Sequence, residues 1–458
     1  MVTELFSSQQ ALIEHASFSR VCGRVCEVTG LIVVAEGLPL PIGALCRVDM
    51  AQGGALGAQV VGVRGHQAVL MTLREPLGVA VGDKVVSTAG LQHVPVGRQM
   101  LGTILDGLGR PIGGVTDFAV EAHYPVFRDA PSALSRLPIL DAMSTGIRSI
   151  DAMHTIGCGQ RLGIFAGTGV GKSVLMGMVT RYTSADVAVI ALVGERGREV
   201  GDFIRRDLSE AGMSRSVLVV STSDQSPVLR VRAAFVATAV AEYFRDLGKN
   251  VLLMMDSTTR MAMAQRQIGL SVGEPPTTKG YPPSVFALLP KLLERSGRTE
   301  RGSITGLYTV LVEGDDISEP VSDAVRGILD GHVWLSRDLA NRGHYPAVSV
   351  LESISRVMPD IVDADHLAAA ATIRRVLAVW NDIEDLVNIG AYAAGTNVEF
   401  DVAVSMKPAI DDFLRQPIDE RAAFSEVREG LVALAAAIDT RRESLSAKAP
   451  GGVPAVTS

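Results

Sequence analysis

Arg161-Leu-Gly-Ile-Phe-Ala-Gly-Thr-Gly-Val-Gly-Lys-Ser173 is the stretch from which the fold is read. Its apolar run, Leu162 to Ala166, predicts a buried strand; three glycines fill the next five positions, and Val174 to Tyr182 has a helical texture. Strand, glycine loop and helix in that order make a P-loop. Glycine backbone turns N–H groups inward on the phosphates of a nucleotide. The candidate binding set is therefore Gly167, Thr168, Gly169, Val170, Gly171, Lys172, Ser173 and Val174. The helix N-terminus adds its positive dipole end, Lys172 reaches the β- and γ-phosphates, and the Ser173 hydroxyl ligates Mg²⁺. Ala166 stands where the usual pattern begins with glycine, but the three glycines after it still supply the turn. A dinucleotide fingerprint fails, because its third glycine would fall on Lys172.

The chain around this stretch has 458 residues, room for two to four domains. With 47% hydrophobic and 20% charged residues it reads as soluble and globular. A net charge of −7 gives no electrostatic case for nucleic acid, whose partners carry basic footprints. The four cysteines, Cys22, Cys26, Cys46 and Cys158, form no paired framework and no zinc spacing, which suits buried thiols in a reducing cytosol. The eight histidines are scattered. The N-terminus lacks the regions of a signal peptide, and no apolar stretch reaches the roughly 18 residues of a membrane span. A cytoplasmic protein with peripheral membrane contact only is expected.

Residues 1–19 form an N-terminal segment with a weakly amphipathic texture. Short β-branched runs over 20–90, at Val25–Thr29, Leu31–Ala35, Gln59–Val63 and Ala68–Met71, predict a small barrel or sandwich. Gly97 to Gly114 reads as a glycine-rich linker at the head of a larger domain, 91–361. In that domain apolar strands near Leu162–Ala166, Val187–Val193, Val217–Ser221, Val251–Met255, Thr305–Leu311 and His332–Leu335 alternate with helical patterns, the signature of an α/β sheet covered on both faces. Residues 362–448 turn Ala/Leu-rich with helical periodicity, and 449–458 read as a disordered tail.

Val251-Leu-Leu-Met-Met-Asp256 is a strand ending in a carboxylate, which after a P-loop holds Mg²⁺. Gly194-Glu-Arg196 follows the preceding strand. Two readings fit it. Glu195 polarises the attacking water while Arg196 steadies nearby charge, or the pair is a solvated turn capping the next helix. Arg356, after Ser353-Ile-Ser355, fits either an arginine finger serving a neighbouring subunit or a surface salt bridge. Four prolines in Gly273-Glu-Pro-Pro-Thr-Thr-Lys-Gly-Tyr-Pro-Pro283 exclude helix and central strand there and point to a functional loop. Gly269-Leu-Ser-Val-Gly273 matches a nucleophile elbow only formally, since a helical run precedes it and prolines follow.

Together these motifs resemble the rotary-ATPase α/β superfamily, from about Arg20 to Leu445. Within it, Phe165–Ser173, Asp256-Ser-Thr-Thr-Arg-Met-Ala-Met-Ala-Gln-Arg266 and Val312-Glu-Gly-Asp-Asp316 are most similar to the ATPases of flagellar and type III protein export. The resemblance implies a RecA-like P-loop ATPase core between an N-terminal β-barrel domain and a C-terminal helical domain, assembled as a homohexamer. It implies ATP and Mg²⁺ as ligands, Glu195 as the catalytic carboxylate, Arg356 as a finger acting across subunits and Tyr345 as an adenine-stacking ring. Implied partners are a coiled-coil stalk, stator proteins, the export gate and chaperone–substrate complexes, at the inner face of the cytoplasmic membrane. Ser349 departs from the acidic or amide residue usual in the superfamily. A flagellar export ATPase is the preferred reading, ahead of an injectisome ATPase. A catalytic β chain of an ATP synthase would carry an acidic run of which Asp382-Ile-Glu-Asp385 is a poor version. An RNA-translocating hexamer is disfavoured by acidity, and a non-catalytic subunit by the intact P-loop.

Overall fold

The computed structural model describes residues 21–88, 92–113, 117–312, 314 and 319–447. The N-terminal segment 1–19, the tail from Ala449 and most of Val312–Asp316 lie outside them. Six antiparallel strands close into a barrel in the order Cys22–Thr29, Ile32–Glu36, Gln67–Thr72, Ala55–Arg64, Leu45–Asp49 and Lys84–Ser87, the last returning to the first. Alternating residues such as Val33, Val48, Val60 and Leu70 fill it. Closure leaves no free edge, which decides barrel over sandwich. Register shifts at Val25/Glu27 and Val60/Gly62 add the local twist that closing a small barrel requires.

The central domain carries a nine-stranded sheet. Its main path runs Val348–Ser355, Gly331–Leu335, Arg161–Ala166, Ser303–Leu311, Asn250–Asp256, Val187–Val193, Ser216–Ser221 and Ile104–Leu105. Val348–Ser355 is antiparallel; its neighbours along the path are parallel. Every residue of Val187–Val193 is buried. Strand alternation divides them: Val187, Val189, Ala191 and Val193 enter one core with the helix Pro227–Asp246, while Ala188, Ile190 and Leu192 enter the other with the helix Lys172–Tyr182.

Two expectations need correction. Gly97–Gly114 is not a plain linker: Ile104–Leu105 adds to the sheet edge beside Leu218 and Val219. A Cβ on Gly97 would stand 2.1 Å from the Ala119 carbonyl, so its glycine serves close backbone approach. The segment leading to Arg356 is an eight-residue edge strand, Val348–Ser355, absent from the expected strand set.

Three helices, Ala364–Asn388, Val398–Leu414 and Phe424–Ser446, pack around Ile373, Val402, Ile410, Leu431 and Ile438. Asp363 and Asn397 accept N-cap bonds from His366 and Glu399. Among the described residues, no helix is long and apolar enough to cross a membrane.

Deep in the central domain Arg295 is fully buried and makes a fork to Glu242 at 2.9 and 2.7 Å, with a third bond to the Val126 carbonyl. Removing one partner strands the other's charge in apolar surroundings. Glu242→Ala is therefore expected to destabilise this domain by roughly 3–5 kcal/mol, read as a lowered midpoint in chemical denaturation. A midpoint unchanged from the parent would mean that Arg295 finds water or another partner.

Candidate active site

The parallel strands deliver their carboxyl ends to one edge of the sheet, where the P-loop lies. Gly169 and Gly171 have φ of +80° and +94°, a region open to glycine at little steric cost. Val170 is buried and Val174 packs on the same core, so these two anchor the loop from below. Thr168 is exposed, and its carbonyl accepts from Arg337 Nη1 at 3.1 Å. Lys172 opens the helix and Ser173 stands exposed beside it.

Lys172 Nζ reaches back to Asp256 Oδ1 and lies 3.7 Å from Glu195 Oε1. Both carboxylates are buried. Thr309 Oγ1 donates to the same Asp256 oxygen at 2.7 Å. Arg260 Nε lies 3.1 Å from Glu195 Oε1, and its Nη1 donates to the Gly194 carbonyl at 2.9 Å. Glu195 Oε1 nevertheless has no aligned hydrogen-bond donor among the described residues. Burial, reinforced by the Asp256 charge, pushes the Glu195 carboxyl up to about 7, against the pull of Lys172 and Arg260. A buried carboxylate poised near neutrality beside a cationic loop is the arrangement of a general base.

Tyr345 is half-exposed, and its ring faces the loop: a Cβ on Gly171 would stand 3.5 Å from its Cδ1 and Cε1. Arg196 is at the start of the helix Gly197–Asp202, its side chain pointing to solvent 3.7 Å from Glu199. Arg356 is exposed on the opposite sheet edge. Val348 pairs with Leu335, level with Ala166, whereas Ser355 pairs with Gly331 at the amino end. The structure thus gathers Lys172, Ser173, Glu195, Asp256 and Tyr345, and leaves Arg196 and Arg356 apart from them.

Arg260, Thr309 and Arg337 were not singled out from the sequence. Arg260 had a signal: Ser257 caps the helix after Asp256, so the residue one turn on faces the same edge. Thr309 had none before the strand order was known, since its place follows from the pairing of Met255 with Tyr308.

Residues 146–355 match the model of the ATP synthase alpha/beta family nucleotide-binding domain, and 362–433 that of the T3SS EscN ATPase C-terminal domain. The flagellum-specific ATP synthase of Treponema pallidum (strain Nichols) is 49% identical, covering 93% of this chain and 96% of its own. That of Bacillus subtilis (strain 168) is 50% identical, over 92% and 97%. The assembled ATPase EscN of the enteropathogenic E. coli type III secretion system superposes with a TM-score of 0.85 at 41% identity, over 90% of this chain and 100% of that one. The same ATPase in complex with its central stalk EscO gives 0.83 at 40% identity, over the same shares. Fold and site together define an ATPase built on a barrel, a P-loop sheet domain and a helical domain. More narrowly, the chain belongs to the family of flagellum-specific ATP synthases and type III secretion ATPases.

The Glu195 shift has a consequence for stability. A carboxyl raised from 4.5 to about 7 binds its proton more tightly in the folded chain, so stability falls as pH rises through that window. Glu195→Gln has no proton to lose. Thermal midpoints measured from pH 5 to pH 8 should show the parent losing ground to the variant; parallel curves would place the Glu195 pKa at its ordinary value.

Proposed function

We propose that the chain is the ATP-hydrolysing motor of the flagellar type III protein export apparatus, coupling turnover to chaperone release, unfolding and export of substrates. The observation that carries the chemistry is Lys172 between two buried carboxylates at the mouth of the glycine loop. Loop amides and Lys172 bind the phosphates, Tyr345 stacks on adenine, and Glu195 takes the proton of the water attacking the γ-phosphorus. Hard oxygen donors suit Mg²⁺, and the Ser173 hydroxyl and Asp256 carboxylate are of that kind. Held by these two groups, Mg²⁺ would supply positive charge against that developing on the phosphoryl oxygens. Thr309 fixes the Asp256 carboxylate, and Arg260 keeps Glu195 at the loop.

Arg356 stands too far from its own P-loop edge to serve it, which supports a homohexamer whose sites lie between subunits. Arg196, exposed beside Glu195, steadies neighbouring charge. The EscN–EscO complex supports a central stalk as partner, here read as a coiled coil. Stator proteins, the export gate and chaperone–substrate complexes follow from the same role, as does a cytoplasmic location with peripheral membrane contact. The flagellar assignment is supported by the flagellum-specific relatives at 49% and 50% identity, with a type 3 secretion system ATPase close behind at 48%. An injectisome role is the second reading, favoured by the match of residues 362–433 to the EscN C-terminal model. Restoring motility, or effector secretion, to a strain lacking the corresponding ATPase separates the two.

Lys172→Ala should abolish tight nucleotide binding. Glu195→Gln should bind ATP yet turn over roughly 10²–10⁴-fold more slowly. Arg356→Ala should lose on the order of 10³-fold or more. Rings mixed from Glu195→Gln and Arg356→Ala subunits should recover activity at interfaces where an intact glutamate meets an intact arginine. Mixed rings as inactive as their parents would refute action across subunits.

A further inference from the structure

The loop between the last two helices of the helical domain holds one buried polar side chain that the chemistry above does not use. Gln416 is 4% exposed. Its Oε1 accepts from the Arg148 backbone N–H at 2.7 Å, and its Nε2 donates to the Gly146 and Glu420 carbonyls, both at 2.8 Å. Its backbone N–H donates to the Tyr345 carbonyl at 3.0 Å. Only an amide meets these demands, one acceptor toward an N–H and two donors toward carbonyls. A carboxylate would set like partial charges against Gly146 and Glu420, and an apolar chain would take the acceptor from the Arg148 N–H and leave the Gly146 carbonyl with the Ala422 N–H alone, at 3.3 Å.

The same loop grips both structures that frame the nucleotide. The Ile418 carbonyl accepts from Tyr182 Oη at 2.9 Å and from Arg181 Nη2 at 3.1 Å, at the end of the P-loop helix. His344, the buried neighbour of Tyr345, has its Nδ1 3.9 Å from Asp411 Oδ1 on the helix Val398–Leu414. The Tyr345 carbonyl is thus held by the helical domain through the Gln416 N–H, with His344 beside Asp411 on its other side, while its ring rests against Gly171.

We propose that Gln416 is a positioning residue for the nucleotide base: by locking its loop onto Gly146 and Arg148 it fixes Tyr345 over the P-loop and sets affinity for the base. The inference rests on reading Tyr345 as the adenine-stacking ring. It also makes the helical domain a determinant of base affinity, with no contact of its own to the phosphates.

The test uses the full chain and two Mg²⁺-bound probes, the ATP mimic AMP-PNP and tripolyphosphate, which has no base. Tyr345→Ala and Gln416→Glu should each weaken AMP-PNP about ten-fold, within the range of a base–aromatic contact, with tripolyphosphate changed less than about two-fold. The KM for ATP should rise in step while kcat stays near the parent value, and the double variant should bind no worse than the weaker single one. Gln416→Met, uncharged and of similar length, repeats the measurement should Gln416→Glu not fold. If Tyr345→Ala leaves AMP-PNP binding intact, the base reading itself fails. If Tyr345→Ala weakens it but the Gln416 variants do not, or weaken both probes alike, or add fully to Tyr345→Ala, Gln416 is merely structural and the inference is overturned.

Discussion

Two cations, Lys172 and Arg260, face two buried carboxylates, Asp256 and Glu195, and the central domain is arranged around that cluster. Lys172 touches Asp256 and lies 3.7 Å from Glu195, on elements far apart in sequence. Burial makes the ionised form of Glu195 costly and the nearby Asp256 charge adds to that cost, so its carboxyl is held above the ordinary range while Lys172 is engaged by Asp256. Only a parallel sheet covered on both faces brings these groups together. The pairing of Leu192 with Asp256 sets the two strand ends level, and the P-loop strand lies two places along the same edge. Phosphate oxygens entering the loop compete for the same ammonium, so nucleotide binding necessarily alters the balance that holds Glu195.

How far this was legible in the sequence depended on burial. The central strands could be read because both faces are covered, so their residues are apolar without interruption. The barrel was harder: Leu45–Asp49 and Lys84–Ser87 are short, with Arg47 and Lys84 pointing outward, and they escape any search for apolar runs. Val348–Ser355 escaped for a similar reason, since an antiparallel edge strand with Leu351, Glu352 and Ile354 exposed has no burial pattern to announce it. At the site, Lys172, Ser173 and Asp256 were legible because each sits at a fixed offset from a strand end, whereas spacing left Glu195 open between a site residue and a helix cap, and only the family resemblance singled it out. Thr309 and Gln416 were not legible, because their roles arise from strand register and from contacts between domains, which local spacing does not encode.

The placement of Arg356 constrains any assembly that uses it. The nucleotide site occupies the carboxyl edge of the sheet and Arg356 the amino edge, with the length of the sheet between them. A two-fold contact joins a surface patch to itself, so a patch built at one edge cannot also carry the residue from the other. For Arg356 to reach a neighbour's nucleotide the contact has to be head-to-tail, each chain offering its arginine edge to the next chain's P-loop edge. Repeated contacts of that kind either close into a ring or continue as a filament, and the choice is set by the rotation per subunit. In a closed ring every site is complete and every arginine engaged, whereas an open string leaves one of each idle at its ends. Closure is therefore the assembly in which no P-loop edge would lack a neighbour's Arg356.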